Sequence, residues 1–267
     1  MALPDPFPQE DLPLAELWTY LHTIQTDFCF NQELGVFYAS PTWHAAKTVL
    51  DLGTGNGYYL NRLASYFTEK HYRGIDISPD YIEQASQTVT SPNIAFECQD
   101  LYQVQGMYDV VLSRLVFQHL DNVDQALKAL ANVLHPGGTA YIIDANDPAR
   151  YFYPEPTEYV EFFKAYAAHQ GQQGMNRNIA SELQHAINQQ GQFTCMNMEN
   201  LLIPSTIDDN LSLFEKTYYL VVVMVEKTGG MDYDFGSVKK AWRLWCQAKK
   251  KYMQVGLKVL QLQKLPV

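Results

Sequence analysis

Basic charge is scarce in this chain. Its 267 residues carry 19 Lys and Arg against 29 Asp and Glu, a formal charge of −10. Proteins that grip phosphate backbones do so with Lys and Arg, so the balance argues against a general nucleic-acid binder, and no nucleic-acid partner is expected. Cysteine is sparse too. Cys29, Cys98, Cys195 and Cys246 are scattered, with no CxxC and no His at zinc-like spacing. That pattern predicts reduced thiols in a cytoplasmic protein. Long apolar runs are missing. The longest, Tyr218 to Val225, is far too short to span a bilayer and suits a buried strand, so no membrane partner is expected. The opening MALPDPFPQEDLPL is acidic, Pro-rich and without an apolar stretch, unlike a signal peptide. No internal repeat is present.

What remains is enough for a packed core. Hydrophobic residues make up 47% of the chain and charged residues 18%. The length suits one large domain, or a core domain with an elaborated cap. Aromatic residues reach 13%, with 18 Tyr. They serve either core packing or a pocket for a flat or cationic ligand. Charge is uneven: Thr228 to Val267 holds eight Lys or Arg against two Asp. This basic tail reads as the solvated face of a helix, or as a handle for an acidic partner.

A lead of about 13 residues precedes a helix from Leu14 to about Cys29, where Leu14, Leu17, Leu21, Ile24 and Phe28 keep helical spacing. Phe30 to Trp43 reads as irregular. Five strands then alternate with four helices within about 100 residues, a rhythm that signals parallel βαβ units with helices on both faces. The strands are Thr48–Leu52, Tyr72–Ile77, Ile94–Cys98, Tyr108–Leu112 and Thr139–Asp144. Ser78 and Pro79 supply an N-cap and a first helical position. Asp121 or Asn122 opens a helix that closes at His135-Pro136-Gly137-Gly138. Beyond Asp144 the rhythm breaks. Residues from about 146 to 176 read as a lid insertion, with a helix over Thr157–Gln170. Asn178–Gln190 predicts a further helix, Phe193–Ile203 and Leu213–Lys227 an antiparallel hairpin, and Ser237–Lys264 a final amphipathic helix. The expected organisation is thus a lead and cap helix over 1–43, a core over 44–227 and a basic C-terminal helix over 228–267.

The chemistry sits at the strand ends. Val49-Leu50-Asp51-Leu52-Gly53-Thr54-Gly55-Asn56-Gly57 is a strand running into a glycine turn, where a ligand can approach bare backbone. Asp76 ends the second strand, 25 residues after Asp51, and can accept two hydrogen bonds from a ribose diol. Asp100 follows the third strand and can accept from an adenine amino group. Taken singly, either aspartate could be a turn or cap residue. Together they occupy the ends of three successive strands, where ligands of open α/β sheets bind.

In VLDLGTGNG, RGIDIS, CQDL, YDVVLSRLVFQHL and VLHPGG the chain resembles the class I S-adenosylmethionine-dependent methyltransferases of the small-molecule type. The likeness is clear over Thr48 to Asp144 and holds in outline over Asn178 to Lys227. It implies an α/β fold: a Rossmann-like seven-stranded mostly parallel sheet with an antiparallel terminal hairpin, helices on both faces, a lid insertion and extra terminal helices. It implies S-adenosyl-L-methionine as cofactor and S-adenosyl-L-homocysteine as product. Asp51, Gly53 and Gly55 would surround the methionine part. Asp76 would hold the ribose, with Ile77 on the adenine face and Asp100 and Leu101 at the adenine edge. Ser113 and Arg114 would lie near the sulfonium and acceptor. The third glycine, Gly57, falls one position earlier than in the dinucleotide GxGxxG pattern, which disfavours an NAD enzyme.

The resemblance implies methyl transfer to a small-molecule N, O or C nucleophile by direct displacement. His119 is a candidate base or a structural residue, and Arg114 a clamp for an acceptor or a structural salt bridge. Tyr20, Tyr38, Tyr151, Tyr153 and Glu155 are candidates for the acceptor side and lid, as contacts or as packing. No metal is expected. Ser113-Arg114 stands where magnesium-using members carry an acid, although Asp144, Asn146 and Asp147 follow the fifth strand. The Asn/Asp-Pro-Pro-aromatic tetrad and the Pro-Cys pair of nucleic-acid methyltransferases are both missing. A homodimer through the terminal helices is open. So are two other functions: a non-methylating enzyme on the same cofactor site, and a non-catalytic cofactor-binding module.

Overall fold

The computed structural model describes residues 7, 10–207 and 209–266. Most of the lead expected at the N-terminus lies outside them. The chain divides into two units. One comprises Met1–Cys29, Ala149–Gln173 and Leu202–Val255, and the other Phe30–Pro148, Gly174–Leu201 and Gly256–Val267.

The second unit is built on a sheet of β1 (Thr48–Leu52), β2 (His71–Asp76), β3 (Ile94–Cys98), β4 (Tyr108–Arg114), β5 (Leu134–Ala145) and the later part of β8 (Tyr252–Lys264). The order is β3-β2-β1-β4-β5-β8. All neighbours from β3 to β5 are parallel, and β8 runs antiparallel to β5. The chain steps outward from β1 to β3, then returns to the other side of β1 as β4. The reversal opens a crevice at the carboxyl ends of β1 and β4, the place where such sheets take ligands.

Both faces of this sheet are covered. Leu50, Leu52, Val111, Ala140, Ile142 and Leu260 pack against α5 (Val123–Val133) and α7 (Ile179–Gln190) through Leu127, Leu130, Leu183 and Ile187. Strand residues one step out of phase face the other side. There Tyr141 meets Phe37 and Trp43, and its hydroxyl bonds to Ser40 Oγ at 2.5 Å. Caps follow the sequence reading: Ser78 accepts from the Tyr81 N–H ahead of α4 (Pro79–Gln87), and Asn122 accepts from Gln125 N–H at 2.9 Å.

Three expectations are corrected. First, Phe30 to Trp43 is not irregular: α1 runs from Leu14 to Tyr38, and α2 spans Pro41–Ala45. Second, Leu213–Lys227 is not a strand. It lies within α8 (Asn210–Thr228), closed by Gly229 in the left-handed region. Phe214, Tyr218, Tyr219, Leu220 and Val222 to Val225 are all buried, so packing around nearly the whole helix overrides the β preference of its valines. Third, the C-terminal basic segment is not one helix. It is α9 (Phe235–Cys246) followed by β8, whose Met253, Val255, Leu257 and Val259 alternate inward in the period-2 pattern of a strand. The partner of β7 (Phe193–Pro204) is therefore β8. Ser205 N–H donates to Met253 O, and Leu265 N–H to Gln192 O, so this pair is antiparallel. A short β6 (Tyr151–Tyr153) brings the strands of the sheet to eight among the described residues.

The first unit holds a dense aromatic core. Trp242 of α9 stacks on Trp245 at 4.9 Å, and lies 4.5 Å from Tyr159 of α6 (Thr157–Gln172). Both indoles are satisfied, donating to Glu215 O and Pro154 O. These aromatics pack on one another. Several basic residues of the tail are paired locally: Lys239 with Glu226, Arg243 with Glu10 and Lys251 with Glu215. Among the described residues no helix is long and apolar enough to cross a membrane.

Candidate active site

Register sets the site. Leu52 on β1 pairs with Ile75 on β2 and Ser113 on β4, and Asp76 pairs with Cys98 on β3. The ends of all four strands are therefore level, and the residues that follow them open onto one rim. Asp51, Gly53, Gly55, Asp76, Ile77, Asp100, Leu101 and Ser113 all lie at these ends.

The turn after β1 is held by backbone and by one carboxylate. Gly53 N–H and Thr54 N–H both donate to Ile75 O, at 2.8 and 2.9 Å. Gly55 N–H donates to Asp76 Oδ2, and Ser78 N–H to Asp76 Oδ1, each at 2.9 Å. Asp76 thus locks the glycine turn to the end of β2, and each oxygen keeps further acceptor capacity. Gly53 has φ of +71°, and a Cβ there would stand 2.5 Å from Val116 Cγ2. The loop after β4 therefore packs onto the turn after β1. Next to Asp76, Ile77 is 73% exposed, an apolar surface beside a ribose-type acceptor. Asp100 Oδ1 accepts from Tyr102 N–H at 2.9 Å, so it also shapes its own turn. Leu101 leans on the apolar core.

Beneath the rim lies a buried charge cluster. Asp51 is 3% exposed, and burial pushes its carboxyl up to about 7, while Thr54 and the Arg114 guanidinium pull it down and Asp76 raises it further. Arg114 Nε donates to both oxygens of Glu33, at 3.0 and 2.9 Å, and Glu33 is fully buried. The guanidinium lies over the Tyr59 ring at 4.5 Å. Arg114, expected near the acceptor as a clamp or a salt bridge, forms this buried ion pair. One hydroxyl at the same level, Ser113 Oγ, is buried without a hydrogen-bond partner. Such atoms call for a ligand or water. A polar ligand with a cationic group fits this donor set: an acid without its own dedicated cation, a spare hydroxyl and bare glycine backbone.

A second cluster follows β4 and β5. Leu115 takes the left-handed region, φ 58°, and its N–H donates to Ile143 O at 2.7 Å. That conformation is strained for a side chain and concentrates at functional loops. It turns the chain into the 3-10 turn Phe117–His119. Asp144 is fully buried and accepts from Gln118 N–H at 3.2 Å and Ala145 N–H at 2.9 Å. Burial pushes its carboxyl up to about 6, against these bonds and the Arg177 guanidinium. Arg177 pairs with Asp147 at 2.5 and 3.1 Å. His119 reaches solvent but is crowded by protein. Desolvation, then Arg177, lowers its pKa below the ordinary imidazole value.

Tyr38 does not join this rim. Tyr38 stacks near Phe67, and its carbonyl accepts from His44 Nε2. Phe67 and His44 precede β2 and β1, so Tyr38 stands at the opposite end of the strands from the rim, where it packs rather than faces an acceptor. Tyr20, Tyr151, Tyr153 and Glu155 belong to the first unit. Tyr151 and Tyr153 are more than half exposed, and Tyr20 is half-buried. Among the described residues no group of three or more His, Cys, Asp or Glu side chains converges as a metal site requires. Glu33, Tyr59, Val116 and Gln118 were missed. No motif marks Glu33 or Tyr59, and Glu33 falls in the stretch read as irregular; Val116 and Gln118 lie inside YDVVLSRLVFQHL, where no role was assigned to them.

Comparison with known proteins agrees with this fold. A family model described as a methyltransferase domain matches residues 44–216. A malonyl-[acyl-carrier protein] O-methyltransferase of Bacillus cereus is 32% identical over 88 residues, 32% of this chain and 33% of that protein. The chain thus matches about a third of the length of this curated relative. Among solved structures, the plantazolicin methyltransferase BpumL, in complex with a monoazolic desmethyl analogue and S-adenosylhomocysteine, superposes with TM-score 0.51 at 18% identity, covering 94% of this chain and 90% of that one. The phosphoethanolamine N-methyltransferase 2 of Haemonchus contortus gives 0.51 at 17% identity, covering 82% and 49%. These likenesses show the fold. The match to the domain model spans well over half of the chain, and the protein belongs to the methyltransferase-domain family, within the class I S-adenosylmethionine-dependent methyltransferases.

Proposed function

We propose that this protein transfers a methyl group from S-adenosylmethionine to a nitrogen, oxygen or carbon nucleophile of a small molecule. The observation that carries this reading is the rim itself: four level strand ends that present Asp51, Asp76 with Ile77, Asp100 and Ser113 to one crevice. In this reading Asp51 receives the ammonium of the methionine part. Asp76 accepts the ribose hydroxyls, Ile77 covers one face of the adenine, and Asp100 with Leu101 N–H meets its edge. Ser113 offers its spare hydroxyl to the polar end.

The bound cofactor supplies a methyl already activated on a sulfonium, so the protein needs to align the acceptor and exclude water more than to provide a strong base. His119, kept neutral by its surroundings, takes the proton from acceptors that carry one. Relatives of this fold are named for O- and N-methylation. The acceptor is therefore chosen by residues outside the cofactor cradle.

Calorimetric titration with S-adenosylhomocysteine tests the cradle. Wild type should bind it, and Asp76→Ala should weaken binding by about 1–3 kcal/mol. Formation of S-adenosylhomocysteine from S-adenosylmethionine over a panel of amines, carboxylates and phenols then finds the acceptor. Equal binding by Asp76→Ala, or no binding by wild type, would refute the assignment.

A further inference from the structure

The buried Glu33–Arg114 pair raises a question that the cofactor reading does not answer. Asp51 pairs with Leu112 across the parallel β1 and β4, so Arg114, two residues further along β4, lies on the same face of the sheet as Asp51, and its charge lowers the Asp51 pKa. An Arg beside the acid meant to receive an ammonium group is an obstacle. It competes for that acid and repels the ligand.

Geometry removes the obstacle. Nε of Arg114 donates to both Glu33 oxygens, and the flat of the guanidinium rests on Tyr59. Arg114 is 9% exposed and Glu33 0%, so the pair sits where water screens little. The charge of Arg114 is balanced by Glu33, and the net charge of Glu33, Arg114 and Asp51 together is −1 with all three ionised. Without Glu33 that sum is zero, and the guanidinium is left to act on Asp51.

We propose that Glu33, on α1, is a positioning residue for the cofactor: it holds Arg114 away from Asp51, so that Asp51 stays available to the ammonium group of the amino-acid part. Glu33 acts through Arg114 and touches neither the reacting atoms nor the nucleoside. The inference rests on the cofactor reading above and adds to it a residue outside every strand-end motif. It also gives the second half of α1 a task beyond covering the sheet.

The test separates the two halves of the ligand. S-adenosylhomocysteine carries the ammonium group, whereas S-methyl-5′-thioadenosine has the same nucleoside and no amino acid. Glu33→Gln should lose at least tenfold in affinity for S-adenosylhomocysteine, and less than twofold for methylthioadenosine, by calorimetry. A merely structural role would move both ligands alike. Removing one partner of a buried pair also destabilises the fold, so a second variant, Glu33→Leu/Arg114→Leu, removes both charges and restores the sum of −1. It should bind S-adenosylhomocysteine within about threefold of wild type, an effect of roughly 0.7 kcal/mol or less at 1.4 kcal/mol per tenfold. Equal losses for the two ligands in Glu33→Gln, no loss in either, or a double variant that binds methylthioadenosine but not S-adenosylhomocysteine would each overturn the proposal. If Glu33→Gln fails to fold, the double variant alone decides. Failure of wild type to bind either ligand would instead sink the cofactor reading.

Discussion

Asp76 Oδ2 accepts the N–H of Gly55 at 2.9 Å, across from the end of one strand to the turn after its neighbour. Its other oxygen accepts Ser78 N–H at the start of α4. One carboxylate thus fixes two backbone segments that would otherwise move independently.

This double role predicts that Asp76→Asn is worse than its shape suggests. The amide has one acceptor oxygen, so one of the two N–H groups would face an NH2. Leaving such a donor unsatisfied costs about 1–3 kcal/mol. Thermal unfolding should show the loss in the ligand-free protein, and calorimetry should show a further loss for S-adenosylhomocysteine. Unchanged stability would mean that Asp76 serves the ligand alone.

Gly53 supplies a second prediction. Its φ of +71° and the 2.5 Å approach of Val116 to a built Cβ leave no room for a side chain. Gly53→Ala should destabilise the protein by about 1–3 kcal/mol through overpacking and strain. Adding Val116→Ala relieves the overpacking and should recover part of the loss, while the backbone term remains. A double variant no better than Gly53→Ala would show that the contact carries no energy.

The parts of the fold legible in the sequence were those with local signals. Asp51, Asp76 and Asp100 follow short apolar strands at regular spacing, and parallel pairing brings them level whatever the helices do. Ser78 and Asn122 announced their helices through cap chemistry. The signal failed where tertiary burial decides. Val222 to Val225 are β-branched or flexible apolar residues, and only burial on nearly every side makes them helical. In β8 the alternation of Met253, Val255, Leu257 and Val259 competed with a helical stripe drawn through Trp242 and Trp245, and the break at Gln247 to Lys251 carries no proline or glycine to mark it. Glu33 was invisible for another reason. Its partner, Arg114, lies 81 residues away, and no local pattern encodes a pair of that range.

His119 provides the third prediction. Desolvation and Arg177 lower its pKa, so the ring is neutral across the physiological range and charges only at acid pH. With an acceptor that carries a proton, kcat should be flat near neutrality and fall below the ordinary imidazole pKa. His119→Gln should lower kcat by about 10²–10⁴-fold, the usual worth of a positioned base, and abolish that acid limb. An unchanged rate and limb would leave His119 with a structural role only.

The last prediction concerns Asp51, whose folded pKa of about 7 stands above its ordinary value of 3.8. A raised carboxyl binds its proton more tightly in the folded state. Its contribution to stability is therefore greatest below the unfolded value and declines as pH rises through 7. The slope is about 1.4 kcal/mol per unit, so roughly 4 kcal/mol separates the ends of that window for this group. An ammonium ligand reverses the preference, because it favours the charged carboxylate. Affinity for S-adenosylhomocysteine should then rise with pH up to about 7, with a proton released on binding. The ligand's own amino group, with a pKa near 8 for an ordinary α-amine, takes up a proton on binding and so contributes with the opposite sign. Calorimetry at pH 7 in two buffers of different ionisation enthalpy measures the balance. Asp51→Asn should lose the release, bind the ligand more weakly and, at pH 8, unfold at a higher temperature than wild type. Proton release that persists in Asp51→Asn, or affinity independent of pH between 6 and 8, would show that this carboxyl does not meet the ligand.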